Sequence, residues 1–288
     1  MKCFIKNTTS LLIVVALGLI TLASCNKNND NLNINIVGLG GDTWPKDSID
    51  RWVRDTLTKP YNIDVKYRWD AFELDLDKTL VPPSLDKIVP MMRVVKYGWI
   101  DAYEEEAGGD FIKTFCPKQY ELVGSVAYNP NGTITLGEAE AGRKVILYRV
   151  NQLNLKDTAF VKRVLKTIQH EFGHILHQNI LYSADYSTIT PAYTTTWNTY
   201  SDATARNMGF ITAYAMAAPD EDFVEMIAIM LTEGKVNFDA IVNAQAATPK
   251  GQLRAKELIV VNYFKQNYNI DIYSLQTRCR AKLAAITK

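Results

Sequence analysis

The stretch IQHEFGHILHQ, residues 168–178, contains all three histidines of this 288-residue chain. Its centre, HEFGH, matches the pattern His-Glu-x-x-His. Residues four apart on a helix share a face, with Cβ atoms about 5–6 Å apart, so His170 and His174 can bind one zinc ion at about 2.0–2.1 Å. Glu171 lies about 100° further around such a helix, where its carboxylate can take a proton from water. The motif therefore predicts a zinc centre with Glu171 as the catalytic base.

Apolar residues with helical spacing precede the motif and predict that it lies on a helix. Asn154 and Asp157 are candidate N-caps, and we expect this helix to end near Gln178. The apolar face of the predicted helix consists of Phe160, Val161, Val164, Leu165 and Ile168.

His177 follows His170 by seven residues and points along the same predicted face. It lies about 10 Å further along the axis, however, so both side chains cannot bind one ion without distorting the helix. A metzincin would have glycine at this position and a further histidine beyond it, and the chain has neither. We therefore expect His177 to support a metal ligand, to face the substrate or to be structural. The third protein ligand is expected to be a carboxylate.

Acidic residues further along supply candidates for that ligand. In PDEDFVEMIAIML, residues 219–231, a proline followed by acids indicates a helix start. Glu221 and Glu225 are four apart, so one can bind the metal while the other orients a ligand histidine. We favour Glu221 and keep Glu225 as the alternative, because two histidines and a glutamate form an established catalytic zinc set. The other acidic candidates are Asp185, Asp202, Asp220, Asp222 and Glu233.

The first 25 residues have the features of a bacterial lipoprotein signal. Lys2 and Lys6 precede an apolar run, Leu11–Leu22, that is short for a bilayer span and suits a signal peptide. The run ends in Leu-Ala-Ser-Cys, which resembles a lipobox. We predict a signal peptide over residues 1–24 and lipidation of Cys25. An uncleaved short anchor, or a secretory signal with a chance cysteine, is the alternative.

Composition separates a tether from a folded domain. Residues 25–33 are polar and Asn-rich, so they cannot bury a core and are predicted to form a flexible tether. Residues 34–288 are predicted to form the zinc-binding domain. Within it we expect an α/β lobe over about 34–178 and a helical lobe over about 179–288.

Charge and cysteine content set further bounds. A formal net charge of +1 gives no electrostatic case for a nucleic-acid partner. The apolar fraction of 47% and charged fraction of 22% are those of a soluble globular protein. Cys116 and Cys279 can form a disulfide in an oxidising compartment or remain two buried thiols, and the sequence leaves both alternatives open.

Hydrophobic periodicity predicts an α+β fold. The turn-rich NPNG between Leu122–Tyr128 and Thr133–Leu136 predicts a hairpin, and Lys144–Val150 a further strand. A strand is also predicted from Tyr61, and Pro90 is expected in the first turn of its helix. Helices are expected at Ser48–Leu57, Ile88–Ile100, Glu221–Glu233, Val236–Gln245, Lys250–Asn267 and Ile272–Ile286.

The connection Asn179–Ser201 is rich in threonine and tyrosine and fits neither a helix nor a strand. Connections of this length are usually functional or disordered. Two interpretations stay open for its aromatic residues, which could line a binding cleft or take part in ordinary packing: Tyr186, Tyr193, Trp197 and Tyr200.

HEFGH, followed 47 residues after His174 by EDFVE, resembles the gluzincin arrangement of lethal-factor-like zinc peptidases. In that group the first glutamate of an E-x-F-x-E helix is the third zinc ligand. A tyrosine seven residues earlier donates to the developing oxyanion. The resemblance therefore implies Glu221 as the ligand and Tyr214 as the electrophilic helper, a role that suits a phenol.

Most of the mature chain resembles the zinc metallopeptidase lipoproteins of Bacteroidota, which are named for their association with outer-membrane glycan and nutrient import. The resemblance implies a lipoprotein of the outer membrane, on its periplasmic side or at the cell surface, with a gluzincin-like fold. In such folds the strand before the active-site helix, here Lys144–Val150, offers an edge to an extended peptide. The matching motifs are the lipobox, YNIDVKYRW, the Pro-Pro pair, LVGS, NGTITLGEAEAG, HEFGHILHQ, and GFITAYA with EDFVE.

The expected function is that of a zinc-dependent peptidase that cleaves peptides or glycopeptides at the cell envelope, in association with nutrient import. Its expected partners are the substrate, the membrane through the N-terminal lipid, and the outer-membrane import machinery. Two alternatives remain. One is a zinc-containing accessory that binds peptides or glycans with little or no catalysis, and the other is a zinc amidase or deacetylase.

Overall fold

The computed structural model describes residues 45–70, 73–74, 77–130, 132–140 and 143–288. The predicted signal peptide, the lipidation site Cys25, the tether and the expected domain start at Ile34 lie outside the described residues. Within the described part of the chain, no helix combines the length and the apolar character that a bilayer span requires.

Helices make up most of the described residues. The helix α1 runs from Ser48 through a π-helical segment to Tyr61, and α2 runs from Leu85 through a second π-helical segment to Ala107. Their starts agree with the predicted helices to within three residues. The remaining helices are α3 (Gly109–Phe115), α4 (Thr158–Asn179), α5 (Asp185–Ile189), α6 (Asp202–Asn207), α7 (Pro219–Asn243), α8 (Ala247–Tyr268) and α9 (Ile272–Ile286).

Capping fixes both ends of α1, whose start at Ser48 is the predicted one and whose end at Tyr61 lies beyond the predicted Leu57. Asp47 caps α1 by accepting hydrogen bonds from Ile49 N and Asp50 N at 2.8 and 2.9 Å. The strand predicted from Tyr61 begins only at Asp64, because the helix extends to Tyr61 and Asn62 closes it in the left-handed conformation. The expectation for Pro90 was wrong. The helix α2 begins at Leu85, so Pro90 lies inside it rather than in its first turn.

The sheet has four strands in the order β1 (Asp64–Lys66), β2 (Gln119–Leu122), β6 (Lys144–Leu147) and β5 (Gly137–Glu140). The first three are parallel, and β5 runs antiparallel to β6. This small sheet among many helices confirms the predicted mixed α+β fold.

The edge strand next to the motif helix is not the one predicted. The strand expected over Lys144–Val150 is β6, and β2 and β5 flank it on both sides. Residues 137–140 form β5 and take the outer position through their antiparallel pairing with β6. The free edge therefore belongs to Gly137–Glu140.

The predicted hairpin exists but is short. Ala127–Tyr128 (β3) pairs with Ile134–Thr135 (β4), and Asn129 N donates to Thr133 O at 2.9 Å to close the turn. The residues from Gln119 to Leu122 pair with the parallel sheet instead. The hairpin is thus a separate two-stranded unit.

The helix α4 carries the histidine motif through the core. Asp157 caps it by accepting from Phe160 N at 3.0 Å. Phe172, inside the motif, packs edge-to-face against Trp99 and Tyr103 with ring centroids 4.9 and 5.1 Å away. One face of the motif is thereby fixed against α2 while the histidines face α7.

Gly173 lets α4 and α7 approach closely. A Cβ added at this glycine would lie 3.0 Å from two side-chain atoms of Val224. Close contact at this point brings the start of α7, with Glu221 and Glu225, against the histidine face. The glycine of HEFGH therefore sets the distance between the two halves of the site.

The C-terminal helices pack on both halves of the described chain. The two helices predicted at Glu221–Glu233 and Val236–Gln245 meet at Gly234, whose φ of 77° and ψ of 166° are not helical, so α7 is kinked at the predicted break. The last helix, α9, packs against both α2 and α7.

Cys116 and Cys279 are both free and buried.

Candidate metal centre

Three side chains converge where α4 faces the first turn of α7. Nε2 of His170 lies 3.2 Å from Nε2 of His174. Oε2 of Glu221 lies 3.1 Å from the first of these atoms and 3.5 Å from the second. Tetrahedral ligands about 2.0–2.1 Å from a zinc ion are about 3.3–3.4 Å apart. The triangle of donor atoms has this spacing.

The hydrogen bonding of the triangle also suits a bound cation. Oε2 of Glu221 is buried and accepts no hydrogen bond from the described residues, although it lies 3.1 Å from Nε2 of His170. A buried carboxylate oxygen without a partner is costly unless a cation binds it. Burial opposes ionisation of Glu221, but His170 and His174 outweigh it and hold its pKa well below the usual range. These residues fit a zinc ion.

Glu225 contacts the His170 ring on the side that faces away from the triangle. Its Oε1 lies 2.9 Å from Nδ1 of His170, which fixes that nitrogen as the donor and leaves Nε2 for the metal. Lys166 Nζ donates to Glu225 at 2.8 Å, and Thr212 Oγ1 donates at 2.7 Å. Burial would raise the pKa of Glu225, but the charge of Lys166 and the bond with His170 lower it to about 2. Glu225 is therefore an ionised acceptor that orients a ligand.

His177 contacts the ring of His174 in the same way. Its Nε2 lies 3.0 Å from Nδ1 of His174. Because Nε2 of His174 belongs to the donor triangle, Nδ1 carries the proton and donates, and His177 must be a neutral acceptor. Burial lowers the pKa of His177, which favours this neutral form. Its ring packs against Tyr182 and Phe223.

Glu171 lies beside the triangle and outside it. Its side chain lines the cleft in front of His170 and His174, and the residue is only 7% exposed. Burial raises the pKa of Glu171, against the charges of the two histidines, which lower it. The carboxylate is therefore partly desolvated and faces the space in front of the metal position.

Tyr214 lies on the opposite wall, in the short 3₁₀ helix Tyr214–Met216. Its ring is 5.6 Å from the His170 ring, and Trp197 packs edge-to-face against it at 4.8 Å. Burial, followed by the neighbouring charge of Glu221, raises the pKa of Tyr214. The phenol is therefore protonated and able to donate.

Two connected cavities form a cleft over the triangle, with volumes of about 540 and 360 Å³. The larger extends from the triangle towards the hairpin and the N-terminal half of α4, and the smaller towards Glu138 and Gln178. The lining residues that the two cavities share are Thr135, Gly137, His170, Glu171 and Tyr214.

Of the aromatic residues in the Asn179–Ser201 connection, some line the cleft and others take part in ordinary packing. Trp197 lines the larger cavity, whereas Tyr200 is exposed. Tyr186 and Tyr193 instead donate to Asp222, at 3.0 Å to its carbonyl and 3.1 Å to its carboxylate. Two of these four aromatic side chains therefore anchor the start of α7, and one, Trp197, faces the cleft.

The remaining acidic candidates lie outside the triangle, each with its own partner. Asp222 forms a fully buried ion pair with Lys256, with Oδ2 and Nζ 2.5 Å apart. Since Asp222 follows Glu221 directly, this pair also helps to fix the ligand. The partners of the others are Ser183 for Asp185, Ala213 N for Asp202, Tyr182 for Asp220 and Lys162 for Glu233.

Sequence reasoning did not find Lys166 and Thr212, the two partners of Glu225. Lys166 lies four residues before His170, so its position on the motif face of the helix was readable from spacing. Thr212 comes from an irregular segment between α6 and α7, and no periodicity indicates it.

Two comparisons with known proteins give matches. The family model "Putative zinc-binding metallo-peptidase" matches residues 42–273. The crystal structure of a protein described in the same words, from Bacteroides caccae ATCC 43185, is similar with a TM-score of 0.71 and 32% sequence identity. That match covers 85% of this chain and 97% of the other. Comparison with curated proteins gives no match.

Proposed function

The chain belongs to this family of zinc-binding metallo-peptidases, and from that premise we propose that it is a zinc-dependent peptidase of the gluzincin type. The observation that carries the proposal is the position of Glu171. It faces the cleft beside a partly buried triangle of two histidines and one glutamate. Three protein ligands leave a coordination position open, which distinguishes catalytic zinc sites from structural ones.

The residues around the triangle have complementary tasks. When zinc is bound, it supplies Lewis-acid chemistry that acidifies water and polarises a carbonyl. Glu171 takes the proton of the attacking water and delivers it to the leaving amine. Tyr214 donates its hydroxyl to the oxygen of the former carbonyl as negative charge develops there. Glu225 and His177 keep the two ligand rings in place throughout.

We expect the backbone of the substrate peptide to bind along the free edge of β5. Gly137 and Glu138 line the cleft next to Glu171, and no strand of the described residues pairs with β5 on this side. An extended peptide can add to such an edge through main-chain hydrogen bonds. This arrangement favours an unfolded peptide or a glycopeptide as the substrate.

The proposed place of action is the outer membrane, on its periplasmic side or at the cell surface, with the chain anchored by lipid on Cys25. The lipobox-like sequence supports the anchor. Import machinery for peptides or glycans in the same membrane is the proposed partner.

A peptide-library assay with matched variants tests the proposal. The zinc-loaded wild type is expected to cleave members of a diverse peptide library. Glu171→Gln is expected to bind zinc as well as wild type does but to lose at least about 10²-fold in kcat, because it lacks a base. Glu105→Gln is the matched control, since it removes a carboxylate from α2 that lines neither cavity of the cleft.

Retained turnover in Glu171→Gln would contradict the mechanism. Tight peptide binding by wild type without any cleavage would instead identify a binding accessory. Release of acetate or amine from acylated sugars, with peptides left intact, would identify an amidase or deacetylase.

A further inference from the structure

Two arginines without a carboxylate partner among the described residues lie beyond the triangle. Arg163 lines the far end of the larger cavity, and Arg149 and Arg163 together line a small cavity beside it. Arg163 is exposed on α4, and no carboxylate of the described residues pairs with it. Arg149 donates twice to the neutral amide oxygen of Gln152, at 2.7 and 2.9 Å. No carboxylate of the residues that the structure describes therefore compensates the positive charge of either guanidinium group.

One aromatic ring orients both arginines. The guanidinium carbon of Arg149 lies 5.5 Å from the centre of the Phe160 ring, and that of Arg163 lies 5.9 Å from it. Phe160 itself is only 6% exposed, so the ring is a fixed support. A planar guanidinium held on an aromatic ring presents its N–H groups in a fork that matches a carboxylate.

The backbone at Arg149 is in a conformation that side chains rarely adopt. Its φ is 64° and its ψ 23°, the left-handed region that glycine and asparagine tolerate best. Neither of those residues occupies the position. Disfavoured conformations of this kind persist where the surroundings hold a functional side chain in place.

Helix geometry places this pair at a definite distance from the triangle. Arg163, Lys166, Thr167 and His170 recur with helical spacing and all line the larger cavity. Arg163 is seven residues before His170, about 10 Å along the axis. An extended peptide covers that distance in about three residues.

The two ends of the cleft are lined by side chains of opposite charge. Lys166 is neutralised by Glu225, so Arg163 dominates the far end of the larger cavity, and Arg149 adds positive charge from the small cavity beside it. The smaller cavity, beyond the triangle, is lined by Glu138 instead. A carboxylate on a bound peptide is therefore attracted at the arginine end and repelled at the Glu138 end.

We propose that Arg149 and Arg163 form a carboxylate-binding subsite that selects peptides with a negative charge about three residues from the scissile bond. The inference rests on the proposed peptidase function. The carboxylate belongs either to an acidic side chain or to the free carboxyl terminus of a short peptide, since both present the same two oxygens.

The test uses peptide pairs that differ only in this charge. In one arm, glutamate replaces glutamine at each position in turn. In the other arm, the carboxyl terminus is free or amidated. The kcat/KM values of the zinc-loaded wild type are compared with those of Arg163→Gln, Arg163→Glu and Arg149→Asn. Asparagine removes the charge at 149 and tolerates its backbone conformation. Arg54→Gln, on the exposed surface of α1, is the matched control.

Wild type is expected to prefer the charged member of one pair by about tenfold, as for a charge-assisted hydrogen bond. The arm that shows the preference identifies the source of the carboxylate. Arg163→Gln and Arg149→Asn are each expected to reduce the preference to about twofold or less, and Arg163→Glu to reverse it in favour of the uncharged member of the pair. Arg54→Gln should leave it unchanged. An equal preference in wild type and Arg163→Gln, or no preference at any position in wild type, would overturn the proposal.

A binding measurement separates this inference from the proposed function. The same peptides are titrated against zinc-loaded Glu171→Gln protein, with and without Arg163→Gln, and their dissociation constants are measured. A charge preference in binding without cleavage by wild type would retain the subsite and refute the peptidase. Cleavage without any charge preference would retain the peptidase and refute the subsite.

Discussion

Nε2 of His177 lies 3.0 Å from Nδ1 of His174, so the third histidine of the chain supports a metal ligand from behind. Its distance along the helix keeps it from the position between His170 and His174 that fits a zinc ion. One histidine therefore fixes the tautomer and the ring orientation of another. The usual partner in this position is a carboxylate, carbonyl or water.

Replacement of His177 is expected to weaken zinc binding. His177→Phe retains an aromatic ring against Tyr182 and Phe223 but removes the acceptor for His174. Loss of such a supporting group typically costs 10–100-fold in metal affinity, or about 1.4–2.7 kcal/mol. Competition with a zinc chelator measures this change. Gln178→Ala, one residue further along the cleft, is the control and should bind zinc as wild type does.

The two glutamates of α7 are expected to differ in effect. Glu221→Ala removes a donor of the triangle and should abolish stoichiometric zinc binding. Glu225→Gln leaves all three donors in place and should weaken affinity by about 10–100-fold, because it removes the ionised acceptor of His170. Elemental analysis and chelator competition measure both. Glu233→Gln, on the same helix and paired with Lys162, is the control. Zinc binding lost in Glu225→Gln but kept in Glu221→Ala would show that the ligand assignment is reversed.

Gly173→Ala is expected to push α4 and α7 apart. The added Cβ would meet Val224 at 3.0 Å, and such overpacking costs about 1–3 kcal/mol of unfolding free energy. Because the same contact sets the distance between Glu221 and the histidines, zinc affinity should fall as well. Denaturant unfolding and chelator competition measure the two effects.

A double variant checks that reason. Val224→Ala makes room opposite the new methyl group, so Gly173→Ala with Val224→Ala should be destabilised by less than the sum of the two single changes. Additive losses would show that helix separation is not the cause.

The stability of the fold is expected to fall as pH rises towards 8. Glu121 on β2 is 1% exposed, and burial raises its pKa to about 8, although the charges of Lys144 and Lys66 oppose this and those of Glu73 and Asp70 add to it. The folded state therefore keeps a proton that the unfolded chain releases above its ordinary pKa of about 4.5. The unfolding free energy should decrease between about pH 5 and pH 8, by on the order of 3 kcal/mol.

Glu121→Gln isolates this contribution. The variant cannot ionise at position 121, so its unfolding free energy should decrease less than that of wild type over the same interval. Denaturant unfolding at half-unit steps of pH gives the comparison. Parallel pH profiles for the two proteins would contradict the buried, protonated state of Glu121.

The motif helix was predictable because its constraints are local. Spacing of four residues places His170 with His174 and Glu221 with Glu225, whatever the rest of the chain does. Asp157 as the cap and the bounds of α4 follow from the same short-range rules. The meeting of the two helices was inferred from the chemistry of zinc, which needs a third ligand.

The features that the sequence did not indicate arise from long-range packing. The edge position of β5 depends on its pairing with β6, and its glycine and glutamates gave no strand signal. Thr212 reaches Glu225 from an irregular segment, and Arg149 meets Arg163 only through the shared Phe160 ring. His177 could be excluded as a ligand from helix rise, but its acceptor role required the position of the His174 ring.

The most direct test of the central claim is a titration of the metal-free protein with zinc, in which the rate of peptide cleavage is measured after each addition. The account predicts no cleavage without metal, a linear rise in rate to one zinc per chain, and no further rise beyond that ratio. In Glu221→Ala the break at one equivalent should disappear. Full cleavage by the metal-free protein, or none after one equivalent of zinc is bound, would contradict a zinc-dependent peptidase.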